Sequence, residues 1–375
     1  ALSCGALVAA GLTGKALAGS RDFGKALPGD EVLLASLNVP EAPVPGLAVY
    51  EDVASAVGAV PGARSAALAL GAPGFREPST HVEVEGTAYE RPEDRESTLW
   101  NAVTPGFFPA LDLPTRLGRS LTSADAGSSV PVAVVNESFV RRFAPDRDVL
   151  GLRLRLLRAD STRWITVVGV VADADLGGGE RSRLDRVYVP LSEAPSESLM
   201  LLARGTGDGG SLTSAVRGAV ASVDPDIAMW SARTLSDAHA YMTRVPRAMS
   251  SLALAGGSAG LLVAAVGLYG LLAFRVRQRK PELGVRLALG ADGMRLAREV
   301  LATALRQLLP AVAVGLALAW LAAPVLSALL LGLDPRSPGV YAGVAIGFLA
   351  TGFGAAAIPA LRAARVDPVR ALRRE

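Results

Sequence analysis

The sequence predicts an α-helical membrane protein that carries a large α/β domain outside the bilayer. Half of its 375 residues are hydrophobic, a larger share than ordinary soluble domains have. Three uncharged runs of 25 to 27 residues crowd the last third of the chain, and a helix needs only about 20 residues to cross the hydrocarbon core. The long segment before them instead alternates strand-like and helix-like patterns.

The three uncharged runs lie at 248–274, 307–333 and 337–361. Helices of soluble proteins rarely stay free of charge over this length, so we interpret each run as a transmembrane helix. Proline occurs inside two of them, at Pro310 and Pro359 among others. Such prolines kink a helix and are tolerated in membranes when neighbouring helices satisfy the freed carbonyl groups.

Two glycine pairs in these runs have the spacing of close helix packing. Gly256 and Gly260 lie in the first run, and Gly343 and Gly347 lie in the third. A four-residue spacing puts both glycines on one helix face, where a neighbouring backbone can approach. These faces are therefore candidate helix-packing sites.

The N-terminus, residues 1–14, is apolar but too short to span a bilayer. It lacks both a starting methionine and the basic region of a signal peptide. We expect it to be the end of a truncated first membrane helix. The chain would then be a fragment or a processed half of a longer protein.

The charges predict how the chain is oriented in the membrane. The connecting segment 275–306 carries net charge +5 and the tail 362–375 carries +3, whereas 334–336 is neutral. Because basic segments tend to remain in the cytoplasm, we expect 275–306 and the tail inside the cell. Residues 15–247, with net charge −5, then lie outside. The arginines flank the spans and form no basic patch with interleaved aromatics, which argues against nucleic-acid binding.

Residues 15–247 are predicted to form an α/β domain. Asn136 can cap the helix that follows it. The order helix–strand–strand occurs near both ends of the domain, which predicts two related lobes with an insertion at roughly 115–185 between them. Strand-like runs lie at 31–39, 81–86, 130–135, 152–157, 164–173, 186–191 and 199–204, and helix-like runs at 50–60, 136–144, 211–223 and 234–245.

Residues for catalysis or metal binding are scarce. The single cysteine, Cys4, and the two histidines, His81 and His239, are far apart in sequence, so a zinc site is not expected. Asp173 and Asp175 have the spacing of an acid or metal pair. No histidine or further acidic cluster accompanies them, which favours an ordinary solvent-exposed strand end.

The segment 19–26, GSRDFGKA, fits the outline of a phosphate-binding loop. Ala26, however, stands where Ser or Thr must hold magnesium, and no apolar strand precedes the segment. We expect no nucleotide here, so any ATP that drives this protein would be hydrolysed by another chain.

The segment 275–291, RVRQRKPELGVRLALGA, separates the first two spans. Pro281 suits the first position of a helix and Glu282 its first turn. Gly290 suits a helix end, and Asp292 can cap the next helix. A short helix over 281–289 is therefore predicted at the cytoplasmic face.

This short helix is predicted to be apolar on two opposite sides. One side carries Leu283 and Leu287, and the other carries Val285 and Leu289. We expect one side to contact the membrane bundle and the other to contact a soluble partner. A plain basic flank of a membrane span, with leucines at the interface, remains the alternative.

Several motifs of the chain resemble the MacB/FtsX family of ABC-transporter permeases. The stretch 267–291 is similar to that family's span and cytoplasmic helix, and 359–375 is similar to its C-terminal motif. Within the family, the chain most resembles the C-terminal half of duplicated permeases of Acidobacteria-type genomes. In the outer domain, 103–111, 118–122, 132–143 and 167–174 resemble the family's periplasmic core domain.

The resemblance implies four membrane helices in a bacterial inner membrane, with a periplasmic domain between the first and second. It implies a dimer or pseudo-dimer with a second permease copy or half. A separate cytoplasmic ABC ATPase, holding the ATP and magnesium, would dock on the short helix, and this chain would need no cofactor. The docking positions that the resemblance implies are Glu282, Leu283, Gly284, Arg286, Leu287 and Gly290.

The resemblance also implies a mechanism in which ATP binding moves the periplasmic domains through the helices, without a continuous pore. We expect export of an amphiphilic or peptide substrate. The alternative is a non-transporting transmitter that activates a periplasmic partner or relays a signal. A membrane-anchored enzyme is a third class, but the sequence offers no catalytic group for it.

Overall fold

The computed structural model describes residues 2–19, 27–38, 47–91, 94–158, 163–174, 184–194, 196, 198–279, 282, 285, 289, 292–329 and 338–364. The chain divides into two compact units. A helical unit comprises Ala1–Leu17 and Arg244–Glu375, and an α/β unit comprises Ala18–Thr243.

The described part of the α/β unit contains eleven strands in one sheet system and five α-helices. The strands are β1 (Val32–Asn38), β2 (Ala63–Ala69), β3 (Ser79–Val84), β4 (Ser97–Val103), β5 (Thr115–Gly118), β6 (Val132–Asn136), β7 (Arg153–Leu156), β8 (Ile165–Val171), β9 (Arg186–Pro190), β10 (Ser198–Gly205) and β11 (Ala228–Thr234). The helices are α2 (Leu47–Gly58), α3 (Phe107–Ala110), α4 (Ser123–Ala126), α5 (Glu137–Phe143) and α6 (Thr213–Val223).

Four strands from the two ends of the unit form one antiparallel sheet in the order β11-β1-β10-β2. The repeated units are β1–α2–β2 and β10–α6–β11, and each leaves a gap that a strand of the other fills. The two related units predicted near the ends of the domain therefore interleave in one sheet. We name this part the attached half, since the chain's long membrane helix follows directly from β11.

The intervening strands close into a ring. β4 pairs with β3, and the pairing continues through β7, β8, β6 and β9 back to β4. β5 adds to the end of β8. We name residues 79–190 the ring half. The inserted part is thus longer than the predicted 115–185, because strands β3 and β4 belong to it as well.

Sequence patterns found seven of the strands and missed β2, β4, β5 and β11. β2 reads ARSAALA and has no β-branched residue, and β11 reads AMWSART and has one, Thr234 at its end, so neither has the run of β-branched residues that marks a strand. Pairing with strands distant in sequence makes them extended. β2, for example, is held by β10 from Ala69↔Met200 onward.

The core of the α/β unit contains a tight aromatic group. Phe107 and Phe108 meet edge to face with ring centroids 5.7 Å apart, and Phe108 meets Tyr188 in the same way at 5.1 Å. All three side chains are fully buried. This edge-to-face geometry is the preferred one for aromatic pairs, and it joins α3 to β9.

The helical unit contains α1 (Leu2–Gly19), most of α7 (Leu235–Gln278), α8 (Gly293–Leu329) and α9 (Pro338–Ala364). Among the described residues, three helices are long and apolar enough to cross a membrane, namely α7, α8 and α9. The helix predicted at 234–245 and the first span are one continuous helix, which runs on through Pro246. The helix predicted after Asp292 likewise continues into the second span through Pro310.

Close helix contacts occur at glycines other than the predicted ones. A Cβ at Gly257 would lie 2.7 Å from Leu7 of α1, and one at Gly352 would lie 2.5 Å from Leu308 of α8. At Gly256, Gly343 and Gly347, a Cβ would meet no described atom within 4 Å, and Gly260 is half-buried. Among the described residues, Gly256, Gly343 and Gly347 are thus not points of close approach between helices. Packing of those pairs on another chain stays a prediction.

Candidate functional site

In the segment between α7 and α8, the structure describes Glu282, Val285 and Leu289, and the backbone at these residues agrees with a helix. Glu282 and Val285 are helical, and the N–H of Leu289 donates to the carbonyl of Val285 at 3.0 Å. That i to i−4 hydrogen bond is the α-helical one. The other predicted docking positions, Leu283, Gly284, Arg286, Leu287 and Gly290, lie outside the described residues.

Both ends of this segment are held by packing and capping. Val276 near the end of α7 and Leu296 near the start of α8 are buried together, with Val300 against them. The carboxylate of Asp292 accepts a hydrogen bond from the N–H of Met294 at 3.0 Å. The predicted cap is thus confirmed, and it sets the start of α8 at Gly293. The chain leaves and re-enters the bundle at one place.

One apolar side of the segment is uncovered by the described chain. Val285 is 44% exposed and Leu289 is 83% exposed. Burying such side chains stabilises a contact by about 1.5–3 kcal/mol each. With respect to the described residues, Val285 and Leu289 are therefore an apolar pair open to contact.

The helices that frame the segment are tied to one another. Leu272 of α7, Ala304 of α8 and Ala356 of α9 form a buried cluster. The guanidinium of Arg362 on α9 donates a hydrogen bond to the hydroxyl of Tyr269 on α7 at 2.9 Å. A displacement of α7 or α8 near the segment would therefore be passed to α9.

In the α/β unit, Asp173 acts as a structural cap. Its carboxylate accepts hydrogen bonds from the backbone N–H and the hydroxyl of Ser138, both at 2.8 Å, and from Asn136 and Arg141, both at 2.6 Å. Asn136 in turn accepts from the N–H of Phe139 at 3.0 Å, which confirms its predicted capping role. The prediction that Asp173 is a solvated strand end was wrong, because it is largely buried against the start of α5.

The remaining candidates for chemistry stay apart. Across the described ranges, no group of three or more His, Cys, Asp or Glu side chains is placed to hold a metal ion. His81 is exposed on β3, and His239 is half-buried in α7. Asp175 and all of the segment 19–26 except Gly19 lie outside the described residues.

Sequence analysis missed a fully buried ion pair. Nε of Arg186 on β9 lies 2.8 Å from Oε1 of Glu77, and the two side chains are 1% and 4% exposed. Burial is the largest single influence and would lower the pKa of Arg186, but the charge and hydrogen bonds of Glu77, together with the nearby Tyr188 and Asp173, raise that pKa above its ordinary value. The one signal in the sequence is that Arg186 is the first residue of an otherwise apolar strand. No local pattern identifies Glu77 as its partner, because Glu77 is distant in sequence.

Two family profiles match this architecture. The MacB-like periplasmic core domain matches residues 15–233, which include all eleven strands except the last residue of β11. The FtsX-like permease C-terminal region matches residues 255–368, which include α8, α9, the second half of α7 and the segment between α7 and α8, from here on called the coupling segment.

Individual relatives are similar over most of the chain. The pyoverdine export ATP-binding/permease protein PvdT of Pseudomonas putida is 26% identical over 292 residues, 72% of this chain and 42% of PvdT. The macrolide export ATP-binding/permease protein MacB of Hahella chejuensis is 27% identical over 291 residues, 73% of this chain and 43% of that protein. The chain thus spans less than half the length of these relatives.

Among solved structures, the periplasmic region of MacB from Actinobacillus actinomycetemcomitans aligns with 59% of this chain and 96% of its own, at 14% identity and a TM-score of 0.40. The two family profiles together account for the α/β unit and the helical bundle. The protein is a membrane protein with an extracytoplasmic α/β domain. The chain belongs to the MacB/FtsX family of ABC-transporter permeases.

Proposed function

We propose that this chain is a permease subunit that couples ATP hydrolysis by a separate ATPase to motion of its periplasmic domain. It lies in the inner membrane of a bacterium, and its motion exports an amphiphilic or peptide substrate. A second permease copy or half completes the transporter. ATP and magnesium belong to the partner ATPase, and this chain performs no catalysis.

The observation that carries the proposal is the continuity of α7. This helix follows directly from β11 of the α/β unit and ends where the coupling segment begins. Its 44 residues give a length of about 66 Å, more than twice the thickness of a hydrocarbon core. One continuous helix therefore joins the site where an ATPase would dock to the sheet whose motion would do the work.

The composition of the spans favours motion over a pore. The runs 248–274, 307–333 and 337–361 contain no charged residue. Channels and transporters that carry polar substrates through the membrane place ionisable groups along the path. A substrate handled on the periplasmic side fits these spans better than one carried between them.

The relatives support an ATPase partner. PvdT and MacB are each named as ATP-binding and permease proteins and as exporters, and this chain matches less than half of each. The only segment here that resembles a phosphate-binding loop has Ala26 in place of the magnesium-binding hydroxyl. Both observations support ATP hydrolysis by a partner ATPase.

Co-purification from native membranes tests the docking role. Leu287→Asp and Leu289→Asp each place a charge on one apolar side of the coupling helix. We expect at least one of them to reduce co-purified ATP hydrolysis by tenfold or more while membrane insertion is unchanged. Met294→Asp, at an exposed position in the first turn of α8, is the matched control and should retain the ATPase. Normal ATPase recovery in both coupling variants would contradict the proposal.

Reconstituted vesicles separate transport from signalling. If the complex exports, an amphiphilic fluorescent peptide should accumulate on the periplasmic side only with ATP. ATP hydrolysis that moves no such probe, but that a periplasmic partner stimulates, would identify the protein as a transmitter.

A further inference from the structure

The two halves of the α/β unit share their hydrophobic cores, but few backbone connections join them. The chain passes between them twice, at 70–78 and at 191–197. In the part of the unit that the structure describes, strand pairing between the halves is limited to Ala69 of β2 opposite Val103 of β4. Both membrane connections belong to the attached half. Motion of the helices therefore reaches the ring half through the attached half, across these connections and the shared core, which together we name the joint.

Buried polar groups fix the first connection to the ring half. The side-chain amide of Asn101 on β4 donates to the carbonyl of Gly71 at 2.8 Å and accepts from its N–H at 3.2 Å. At the other end, Arg186 on β9 holds Glu77 through two hydrogen bonds of 2.8 and 3.2 Å. Glu77 also accepts from the N–H of Gly74 at 2.9 Å, so the turn between the two anchors is fixed too.

Close packing of ring-half residues against β2 stabilises the same place. A Cβ at Gly106, just before α3, would lie 2.1 Å from the carbonyl oxygen of Ala66 on β2, so only glycine fits there. Phe107 and Phe108 follow and are buried in a core that also contains Leu202 of β10 and Tyr188 of β9. The core is therefore continuous from one half to the other.

The chemistry of the ion pair indicates what it contributes. Replacing a buried ion pair by apolar residues of similar size is often neutral or stabilising, so such a pair is weak evidence for stability. A bidentate arginine–carboxylate contact does, however, fix relative geometry closely. Its position at the joint, with one partner in the linker and one in the ring, suits that role.

We propose that this joint is a rigid coupling, in which Glu77 and Arg186 are positioning residues that make the two halves move as one body. The device rests on the proposed function for its purpose, because it would deliver motion of the helices to the ring half. Its stiffness, however, is a property of this chain alone. The test therefore needs no ATPase, and the outcome of the ATPase experiment does not affect it.

Distances between spin labels across the joint test the proposal in the full chain. Labels at Ala215→Cys on α6 and Thr87→Cys in the ring half, both exposed positions, are introduced in a Cys4→Ser background. We expect a single narrow distance distribution. Glu77→Gln, which leaves the Arg186 charge without its partner, should at least double the width of the distribution. Glu85→Gln, which breaks the exposed pair with Arg153 (3.2 Å), is the matched control and should leave the width unchanged.

A double variant, Glu77→Met with Arg186→Met, distinguishes loss of positioning from unfolding. It removes the ion pair but keeps apolar side chains of similar size in its place. A widened distribution with an unchanged cooperative melting transition would support the positioning role. A broad distribution in the labelled parent protein would overturn the rigid joint. An unchanged width in both Glu77→Gln and the double variant would show that the ion pair does not hold it.

Discussion

The α/β unit and the helical unit use the same apolar residue types in opposite ways. In the α/β unit, Leu33 and Phe107 are fully buried in cores formed by strands and helices of that unit. In the helical unit, Leu252 and Val263 of α7 are each 73% exposed. The α/β unit buries its apolar side chains against one another, whereas the helical unit exposes many of its own to lipid and to other chains.

The two units therefore differ in how far their own residues determine their packing. Buried side chains in the α/β unit touch neighbours that the same chain supplies, so its fold is decided internally. Among the described residues of the helical unit, the buried clusters are small, and one of them, Leu272 with Ala304 and Ala356, packs three helices together. Sensitivity to substitution should follow the same division, from the largest effects in the sheet unit to small effects at the surface.

Truncation of a core aromatic gives the largest expected contrast. Phe107→Ala should lower the free energy of unfolding of the α/β unit by about 3–5 kcal/mol, because it leaves a cavity among packed aromatics. Leu262→Ala, in the exposed part of α7, is the control and should change stability by less than about 0.5 kcal/mol. Thermal and denaturant unfolding of the full chain in nanodiscs measures both. Equal effects would remove the distinction between the units.

Glycine substitutions test where helices of the bundle meet. Gly352→Val should destabilise the packing of α8 on α9 by about 1–3 kcal/mol, because its Cβ would lie 2.5 Å from Leu308. Gly347→Val, five residues earlier on the same helix, has open space and is the matched control. Detergent-resistance melting compares the two variants. If Gly347→Val is the more harmful one, that face packs on another chain, as the spacing of Gly343 and Gly347 predicts.

Loss of the Asp173 carboxylate should have a moderate effect. Asp173→Ala removes the acceptor of four hydrogen bonds at the start of α5, which should cost about 2 kcal/mol. Asp146→Ala, an exposed aspartate three residues beyond α5, serves as the control. Chemical denaturation monitored by tryptophan fluorescence gives the comparison. A variant as stable as the parent would mean that Asp173 is not a structural cap.

The smallest effect is expected from an ion pair near the surface. Hydrogen bonding from Arg119 lowers the pKa of Asp125 from 3.8 to about 2. Because the folded pKa is the lower one, the carboxylate stabilises the fold above about pH 4 and ceases to do so as the pH falls towards 2. Since Arg119 is half-exposed, we expect only about 1 kcal/mol between parent and Asp125→Asn at pH 6.

The pH series decides that prediction. The difference in stability between parent and Asp125→Asn should shrink between about pH 4 and pH 2. A difference that is constant over this range would show that Asp125 does not titrate with the fold.

Local signals explain which features could be predicted from the sequence. The caps at Asn136 and Asp292 depend on a side chain and backbone groups two or three residues away, so the residue types suffice to predict them. Likewise, the uncharged runs predict transmembrane helices directly, because the thickness of the bilayer sets the length of such a helix. Strand β2 has no such local signal and is extended only because β10 pairs with it.

Features that depend on distant contacts could not be predicted. Glu77 and Arg186 are separated by 109 positions, and no pattern connects them before the ring closes. The interleaving of β1, β10 and β11 also follows from pairing across the unit, which a repeated helix–strand–strand order can suggest but cannot arrange. The docking positions at the coupling segment come from the family resemblance, and Leu283 and Leu287 remain predictions.

Sidedness is the measurement that tests the central claim most directly. Single cysteines at His81 in the ring half and at Leu289 in the coupling segment, both exposed, are introduced into the Cys4→Ser protein in intact cells. A maleimide that cannot cross the inner membrane should label His81→Cys and should label Leu289→Cys only after the cells are lysed. Labelling of both positions in intact cells would contradict a protein that transmits motion from one side of the membrane to the other.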